Sequence, residues 1–596
     1  MRKQKNNSKF GGSKLKITKI SITGSQQATE LWGQQLSSVT DLVKDRITAR
    51  CPVTFAEDCA QLKILVDVDA TIGAQGFCVA DQEENTVLLA SDSIIGITAG
   101  FGKLLRTSDY SAEGVTFSSW RGTSVPSCPL RGIQMDSHFC NFYHMAPADE
   151  LKRYVQDLAL WGINCIDVVY PLIDFCGWDD PEAEHVLQQI KVIYDTAKSI
   201  GIQVGMEVVP NQDFVTFRPE FKASPNVEEV ARRGNNGNNM CPNIPGAMEY
   251  IVETYSYALR FLKERGVAMD FLCFWPYDEG GCSCEKCKPW GANGFLKASK
   301  AICEKVKEDL PDITVILSTW LFDTPDDQGE WSGLSAALDK ENGWIDYILA
   351  DSHTDFPEYP LTHDIPGGLP LLNYPEISMW ALFPWGGYGA NPLPERFQSL
   401  WHQAKVKVSG GIAYSEGIFD DINKITVSYF YWNKEGSVEE ALEEYIRYEY
   451  APEAYEKVRE AIRIIENNHI GTAVGKNRNT SADCNTQAVN QEVCDSARRA
   501  LMLMEQADEL LPQWAKNSWR WRILYIRAKL DVLRFVRSYE LSDQLRPGAT
   551  WTEVLRGCEE AKIAMQELVQ IYHSNMNADD QMHPMFRCVR PALKEL

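Results

Sequence analysis

The sequence lacks long apolar runs, and this absence limits where the protein works. No run in its 596 residues approaches the roughly 20 apolar residues that a membrane-spanning helix needs. The N-terminus, Met1–Asn7, is basic like the start of a signal peptide, but no apolar segment follows it. We therefore expect no membrane partner and a cytoplasmic protein, or an exported one whose leader is missing from this chain.

Positive charge is also scarce. The formal net charge is −23, and no cluster of Lys and Arg stands out. Nucleic acids and anionic membrane surfaces are bound through basic patches, so neither is an expected partner. The 17 cysteines are odd in number and scattered, which favours a reducing compartment over a disulfide framework.

The composition is otherwise that of a globular protein with two to four domains, with 44% hydrophobic and 24% charged residues. Residues 15–125 mix short β-type runs with helical segments and predict a small α+β domain. Residues 126–436 predict a catalytic barrel. Residues 437–596 show apolar positions at helical spacing and predict a helical bundle.

The middle region repeats a strand followed by a helix, which is typical of parallel sheets with right-handed crossovers. Eight such units predict an α/β fold, a (β/α)8 TIM barrel. The predicted strands are Leu130–Asp136, Cys165–Tyr170, Gln203–Val209, Phe271–Tyr277, Thr314–Thr319, Ile345–Ala350, Leu369–Tyr374 and Gly411–Tyr414.

Two adjacent carboxylates, Asp278 and Glu279, follow the fourth predicted strand and precede two glycines. Barrel enzymes place their chemistry at this end of a strand. Neighbouring carboxylates disfavour joint ionisation, so one of them can stay protonated and act as an acid. A solvent-facing pair at a strand end is the structural alternative.

Polar and aromatic residues recur at the other predicted strand ends. Any one of them is equally explained as a helix cap, a loop hydrogen bond or a surface charge. Together they predict a glycosidase site, because carboxyl groups protonate a leaving oxygen and stabilise an oxocarbenium-like centre while aromatic rings hold the sugar. The set is Asp136, His138, Asp174, Glu207, Asp278, Glu279, Trp320, Asp351, His353, Tyr374, Glu376 and Glu416.

Four segments resemble glycoside hydrolase family 20, the β-N-acetylhexosaminidases, and the related families 67 and 84. Ile94–Arg106 looks like the end of the small domain that precedes their barrel. Leu130–Asp136, Asp149–Ala159 and Gly162–Asn164 are similar to the first strand and helix of the family 20 barrel. Here Trp275–Tyr277 stands where that family has His and glycines, so the chain resembles a divergent neighbouring family.

The resemblance implies residue roles. Arg131 would grip the sugar hydroxyls, Asp278 would orient the substrate's acetamido group and Glu279 would be the general acid. The implied reaction is removal of a terminal, β-linked N-acetylhexosamine by a retaining, substrate-assisted mechanism. It needs a carbohydrate substrate and no catalytic cofactor.

Two other functions remain open. In many barrel glycosidases a Glu after strand four is the acid and a Glu after strand seven is the nucleophile, and Glu279 and Glu376 occupy those places. The substrate would then be another hexose or a hexuronic acid. A non-catalytic carbohydrate-binding protein on the same scaffold is the third hypothesis.

A cysteine cluster, Cys282, Cys284 and Cys287, follows the acidic pair. Its C-x-C-x-x-C spacing suits a structural zinc ion, with Cys241 as the fourth ligand. Packing or redox-paired thiols are the alternative, because no second C-x-x-C appears.

Further along, Trp380 and Trp385 stand in a Gly-rich loop after strand seven. They could form stacking walls for a sugar or an interface segment, which leaves a homo-oligomer open.

Overall fold

A closed parallel barrel lies between an N-terminal sheet and a C-terminal set of helices. The computed structural model describes residues 15–83, 85–138, 141–224, 238–277, 280–323, 327–339, 342–352, 355–377, 392–468, 489–544 and 551–573. Within these ranges no helix is both long and apolar enough to cross a membrane.

The N-terminal region contains a mixed six-stranded sheet, a two-stranded hairpin and two helices. Its strands are β1 (Lys19–Gly24), β2 (Thr54–Phe55), β3 (Leu62–Val68), β4 (Phe77–Asp81), β5 (Thr86–Ser91), β6 (Asp109–Ser111), β7 (Gly114–Thr116) and β8 (Gly122–Ser124). The sheet order is β2-β1-β3-β5-β4-β8, while β6 and β7 form a separate hairpin.

Two capped helices cover this region, α1 (Gln26–Thr48) and α2 (Ile94–Arg106). Ser25 and Ser93 accept hydrogen bonds from the first free N–H groups of the two helices, as N-cap serines do. A Cβ at Gly102 would collide with the carbonyl of Leu160. The glycine therefore lets α2 pack directly against the barrel.

Eight parallel strands close the barrel, and this confirms the predicted fold class. They are β9 (Leu130–Met135), β10 (Cys165–Val169), β11 (Gln203–Val208), β12 (Phe271–Phe274), β13 (Thr314–Ser318), β14 (Tyr347–Ser352), β15 (Leu371–Pro375) and β16 (Val408–Ser415). Neighbours pair in chain order, and β16 returns to β9 with Gly411 opposite Arg131.

Every predicted barrel strand is present, although some bounds differ. The eighth strand begins at Val408 rather than Gly411, because Gly410 and Gly411 allow a close backbone approach that residues with a Cβ would block. The sixth strand begins two residues later than predicted and continues to Ser352.

The helices of the barrel region connect successive strands or follow the last one. They are α3 (Phe142–Met145), α4 (Ala148–Leu160), α5 (Pro181–Ser199), α6 (Ala247–Glu264), α7 (Leu296–Lys307), α8 (Glu330–Leu338), α9 (Glu358–Thr362), α10 (Pro394–Ala404) and α11 (Asp421–Trp432). Asp180 caps α5, with Pro181 as its first residue, a combination that favours a helix start.

Helices also make up the described part of the C-terminal region. They are α12 (Val438–Glu449), α13 (Tyr455–Asn468), α14 (Gln491–Asp508), α15 (Gln513–Lys516), α16 (Trp519–Glu540), α17 (Trp551–Leu555) and α18 (Glu559–Tyr572). Between α17 and α18, Gly557 adopts a left-handed φ of 72° that divides the last helical stretch in two. The domain boundaries near residues 125 and 437 stay predictions.

Buried ion pairs connect the three regions. Arg520 of α16 donates to Asp421 of α11 at 2.8 Å and to Asp157 of α4 at 3.1 Å. Arg46 of α1 donates to Asp157 at 2.7 Å. Burial alone would raise the pKa of Asp157, but attraction to Arg46 and Arg520 outweighs it and lowers this pKa to about 2. Asp157 is thus held as a carboxylate between the N-terminal helix, the barrel and the C-terminal helices.

Candidate functional site

Several of the predicted site residues lie at the carboxyl ends of the barrel strands. Five residues named from the sequence lie outside the described residues, namely Asp278, Glu279, His353, Trp380 and Trp385. Asp174 is exposed at the end of a short 3-10 turn after β10. The remaining predicted residues can be placed.

Aromatic rings form the floor of the mouth. Tyr374 at the end of β15 has its ring centroid 4.8 Å from that of Trp275, just past β12, and 5.5 Å from that of Trp320, just past β13. The two indoles stack on each other at 5.5 Å, and Tyr414 of β16 adjoins Tyr374 at 5.9 Å. These strands are not all neighbours, so the rings must meet inside the barrel. Such a surface is suited to the apolar face of a sugar ring.

A carboxylate cluster borders this floor at the junction of β16 and β9. The hydroxyl of Tyr414 lies 2.8 Å from Asp136 and 2.5 Å from Glu416. His138 Nδ1 is 2.9 Å from the other Asp136 oxygen. Asp136, His138 and Glu416 are each at most 4% exposed.

Tyr414 can donate only one proton, although it contacts two carboxylates. Burial and the neighbouring charges of Asp136 and Glu416 raise the pKa of Tyr414 well above its usual range. The phenol therefore stays neutral. Its single proton therefore serves either Asp136 or Glu416 at any one time.

A second polar pair spans the barrel interior. Gln134 of β9 donates to Glu207 of β11 at 2.7 Å, and because β10 lies between these strands, both side chains point inward. Below them Asp167 of β10 is fully buried beside Cys273. Burial raises the pKa of Asp167 well above its usual range, because desolvation disfavours the charged form of a carboxyl group.

Glu376 and Asp351 belong to the same rim. Glu376 directly follows β15, forms a backbone bridge with Tyr414 and is 2% exposed. Asp351 in β14 is half-buried and pairs in register with Tyr374. Glu376 thus lies between the ends of strands seven and eight, beside the aromatic floor.

Arg131 does not lie at this rim, and its expected role as a sugar clamp is wrong. It is the second residue of β9, at the opposite end of the barrel from Asp136. Its guanidinium donates to the carbonyls of Gly162 and Cys128 and to the side chain of Gln75. Through these bonds Arg131 links the amino-terminal end of the barrel to the N-terminal region.

The chain on both sides of the acidic pair is anchored. Before it, Tyr277 donates to Glu330 at 2.6 Å, and the carbonyl of Pro276 accepts from the indole of Trp290 at 2.7 Å. After it, the backbone N–H and carbonyl of Gly281 both bond the side chain of Asn211. These contacts fix the entry to and exit from the segment that contains Asp278 and Glu279.

The four cysteines singled out in the sequence lie together. The sulfurs of Cys241, Cys282, Cys284 and Cys287 are all within 4.8 Å of one another. Cys241 Sγ is 3.8 Å from both Cys284 Sγ and Cys287 Sγ. Hydrogen bonds from Cys282 and Cys287 lower the pKa of Cys241 to about 2.

Sequence reasoning missed several members of the site. The sequence indicates no site role for Trp275, which only departs from the family 20 pattern, or for Tyr414, which only ends the eighth predicted strand. A signal existed for Gln134 and Asp167, since each is a polar residue flanked by apolar residues in its strand. Such residues in a barrel strand face either the interior or the helices, and local sequence does not distinguish the two.

Comparison with known proteins finds the same fold in several glycoside hydrolases. No family model matches the chain, and no curated protein matches it in sequence. A family GH115 4-O-methyl-α-glucuronidase with specificity for decorated arabinogalactans superposes with a TM-score of 0.58 at 11% identity, over 98% of this chain and 80% of that chain. A GH138 enzyme targeting pectin rhamnogalacturonan II superposes with a TM-score of 0.58 at 10% identity, over 97% and 98% of the two chains.

The family 89 glycoside hydrolase of Clostridium perfringens gives a TM-score of 0.59 at 12% identity, over 92% of this chain and 65% of that chain. This chain therefore spans less than two thirds of the Clostridium chain. A mutant β-hexosaminidase of Streptomyces plicatus also matches, at 14% identity and a TM-score of 0.47, over 72% and 91% of the chains. The predicted resemblance to barrel glycosidases, as a divergent neighbour, is therefore confirmed at the level of the fold.

Proposed function

We propose that this protein is a glycoside hydrolase that removes a terminal sugar, an N-acetylhexosamine. The observation that carries the proposal is the joint placement of buried carboxylates and an aromatic floor at one mouth of the barrel. Asp136, Glu376 and Glu416 are nearly buried there, beside the rings of Trp275 and Tyr374. Carboxyl groups beside a surface that stacks sugars are the parts that glycoside hydrolysis requires.

The charge of the mouth supports a neutral sugar over a uronic acid. Asp136, Glu207, Glu376 and Glu416 all lie at this end of the barrel. Anionic groups in a partly desolvated site repel a further carboxylate. Hydroxyl and acetamido groups instead donate hydrogen bonds to such oxygens. A solved structure of the superposing Clostridium enzyme holds its substrate GlcNAc-α-1,4-galactose, which contains a neutral acetamido sugar.

Double displacement is the mechanism that the placement of Glu376 favours. Glu279 follows the fourth barrel strand in the sequence and would protonate the leaving oxygen. Glu376 is buried just past the seventh strand, next to Tyr414, and would attack the anomeric carbon. The bond from that carbon to the leaving oxygen breaks as the glycosyl–enzyme bond forms. Water then hydrolyses the intermediate, with Glu279 acting as base.

The competing mechanism uses the substrate's own acetamido oxygen as nucleophile, oriented by Asp278. It requires no attack by Glu376, so the same residue separates the two mechanisms. A 5-fluoro glycosyl substrate that slows the second step should leave a covalent sugar on Glu376 under double displacement. A thiazoline analogue should instead bind far more tightly than substrate if the acetamido group participates.

The first experiment is a panel of aryl α- and β-glycosides that includes N-acetylglucosaminides, glucosides and glucuronides. Wild-type protein should hydrolyse one anomer of an acetamido sugar. Glu279→Gln should lower kcat by about 10²–10⁴-fold, the range of general acid catalysis, and less for substrates with very good leaving groups. Glu376→Gln should abolish turnover of both kinds of substrate, because the attack itself is lost.

Glu435→Gln is the matched control, since Glu435 is an exposed glutamate paired with Lys405 on the barrel surface. Its rates should equal those of wild type. If folded wild-type protein binds the sugars but hydrolyses none of the panel, the non-catalytic hypothesis holds. Preferred cleavage of glucuronides would contradict the charge argument.

A further inference from the structure

The loop that follows the acidic pair contributes to a cluster of four cysteine thiols. Three thiols, Cys282, Cys284 and Cys287, come from this loop, and the fourth, Cys241, comes from the long connection after β11. Cys241, Cys282 and Cys287 are buried, and Cys284 is half-buried. The cluster therefore joins the loops that follow the third and fourth barrel strands.

The sulfur spacing is that of a tetrahedral metal site. Four thiolates about 2.3 Å from one zinc ion lie about 3.8 Å from each other along the edges of the tetrahedron. Cys241 Sγ lies 3.8 Å from two of its neighbours, and no pair exceeds 4.8 Å. A disulfide needs an S–S distance of about 2.0 Å, so these thiols are arranged for coordination rather than for pairing.

Hydrogen-bond donors surround the sulfurs. The side-chain amide of Asn243 donates to Cys287 Sγ at 3.1 Å. The backbone N–H of Asn243 points to Cys241, and the N–H groups of Cys284 and Ser224 point to Cys282. Donors of this kind stabilise negative charge on sulfur and orient metal ligands from outside the coordination sphere.

We propose that Cys241, Cys282, Cys284 and Cys287 bind one zinc ion as a structural site. Soft thiolates select zinc, copper(I) or iron, and four of them in a tetrahedron suit zinc or iron. Zinc is the commoner occupant of closed four-cysteine sites and binds such ligands more tightly than iron(II). All four positions are filled by protein, so the ion has no open coordination site for catalysis.

The consequence for the fold is a second anchor beside the acidic pair. Gly281 is already tied to Asn211, and the next residue, Cys282, would be tied through the metal to Cys241. Because the ligands come from two loops, metal binding contributes to the folding free energy of both. The proposal rests on the thiols alone and holds whether or not the protein hydrolyses glycosides.

The test measures metal rather than activity. Protein expressed with added Zn²⁺ and purified under reducing conditions should contain about one zinc per chain by elemental analysis. Cys284→Ser should lose it. Cys78→Ser is the matched control, because Cys78 is also half-buried but lies in β4, away from the cluster; it should keep its zinc.

A second measurement avoids any dependence on variant folding. Titration of wild-type protein with a mercurial thiol reagent should release zinc, seen with a chromogenic chelator. Replacement by Co²⁺ should give the sulfur-to-cobalt charge-transfer absorption of a tetrahedral thiolate site. A metal-free wild-type chain, iron in place of zinc, or a disulfide among the four cysteines in the mass spectrum would each overturn the proposal.

Discussion

Arg520 is the position where a single substitution should be most costly outside the barrel. Its guanidinium donates to Asp421 at 2.8 Å and to Asp157 at 3.1 Å, and lies 3.9 Å from Glu449. The Arg520 side chain is 8% exposed, and those of Asp421 and Glu449 are 6% and 5% exposed. Replacement by Met keeps the apolar stem and removes the positive charge. The carboxylates of Asp421, Asp157 and Glu449 then each lose one cationic partner.

The magnitude follows from two independent estimates. Two hydrogen bonds to charged groups contribute about 1.5–3 kcal/mol each, or about 3–6 kcal/mol together. Removing one partner of a buried ion pair costs about 3–5 kcal/mol. We therefore expect Arg520→Met to lower the free energy of unfolding by about 4 kcal/mol.

Urea unfolding followed by tryptophan fluorescence measures this change. Arg447→Met is the control, because Arg447 forms an exposed pair with Glu443 at 3.0 Å and should cost at most about 0.5 kcal/mol. Adding Asp421→Asn to Arg520→Met should cost less than the sum of the two single changes, since one partner is already gone. A midpoint for Arg520→Met equal to that of Arg447→Met would refute the assigned role of the network.

Two further predictions concern pH and barrel closure. The lowered pKa of Asp157, about 2, lies below the value of about 3.9 expected in the unfolded chain. Its contribution is therefore present above pH ~4 and is lost as the pH falls towards 2, so the stability difference between wild type and Asp157→Asn should shrink as the pH falls from about 4 to about 2. A Cβ at Gly411 would collide with the side chain and backbone of Asn373, so Gly411→Ala should cost about 1–3 kcal/mol. Gly343→Ala, with nothing within 4 Å, should change little; equal melting temperatures for both variants would contradict this reasoning.

Much of the architecture follows from the sequence alone. Apolar runs and helical periodicity placed all eight barrel strands, because burial on both faces of a parallel sheet demands apolar residues and the crossover demands a helix. The carboxyl ends of parallel strands meet at one mouth, so Asp136, Glu376 and Glu416 could be assigned there before any coordinates. The C-x-C-x-x-C spacing of Cys282, Cys284 and Cys287 likewise predicts that these three thiols lie together in one loop.

Only the tertiary structure decided which of these residues meet. Arg131 lies near the start of β9 and Asp136 directly follows its end, so the two side chains lie at opposite ends of the barrel. The pairing of Gln134 with Glu207 crosses an intervening strand. The approach of Cys241 to its three partners joins separate loops. Local propensity fixes the elements, but distances across a closed barrel depend on strand tilt and register, which arise from the packing of the whole chain.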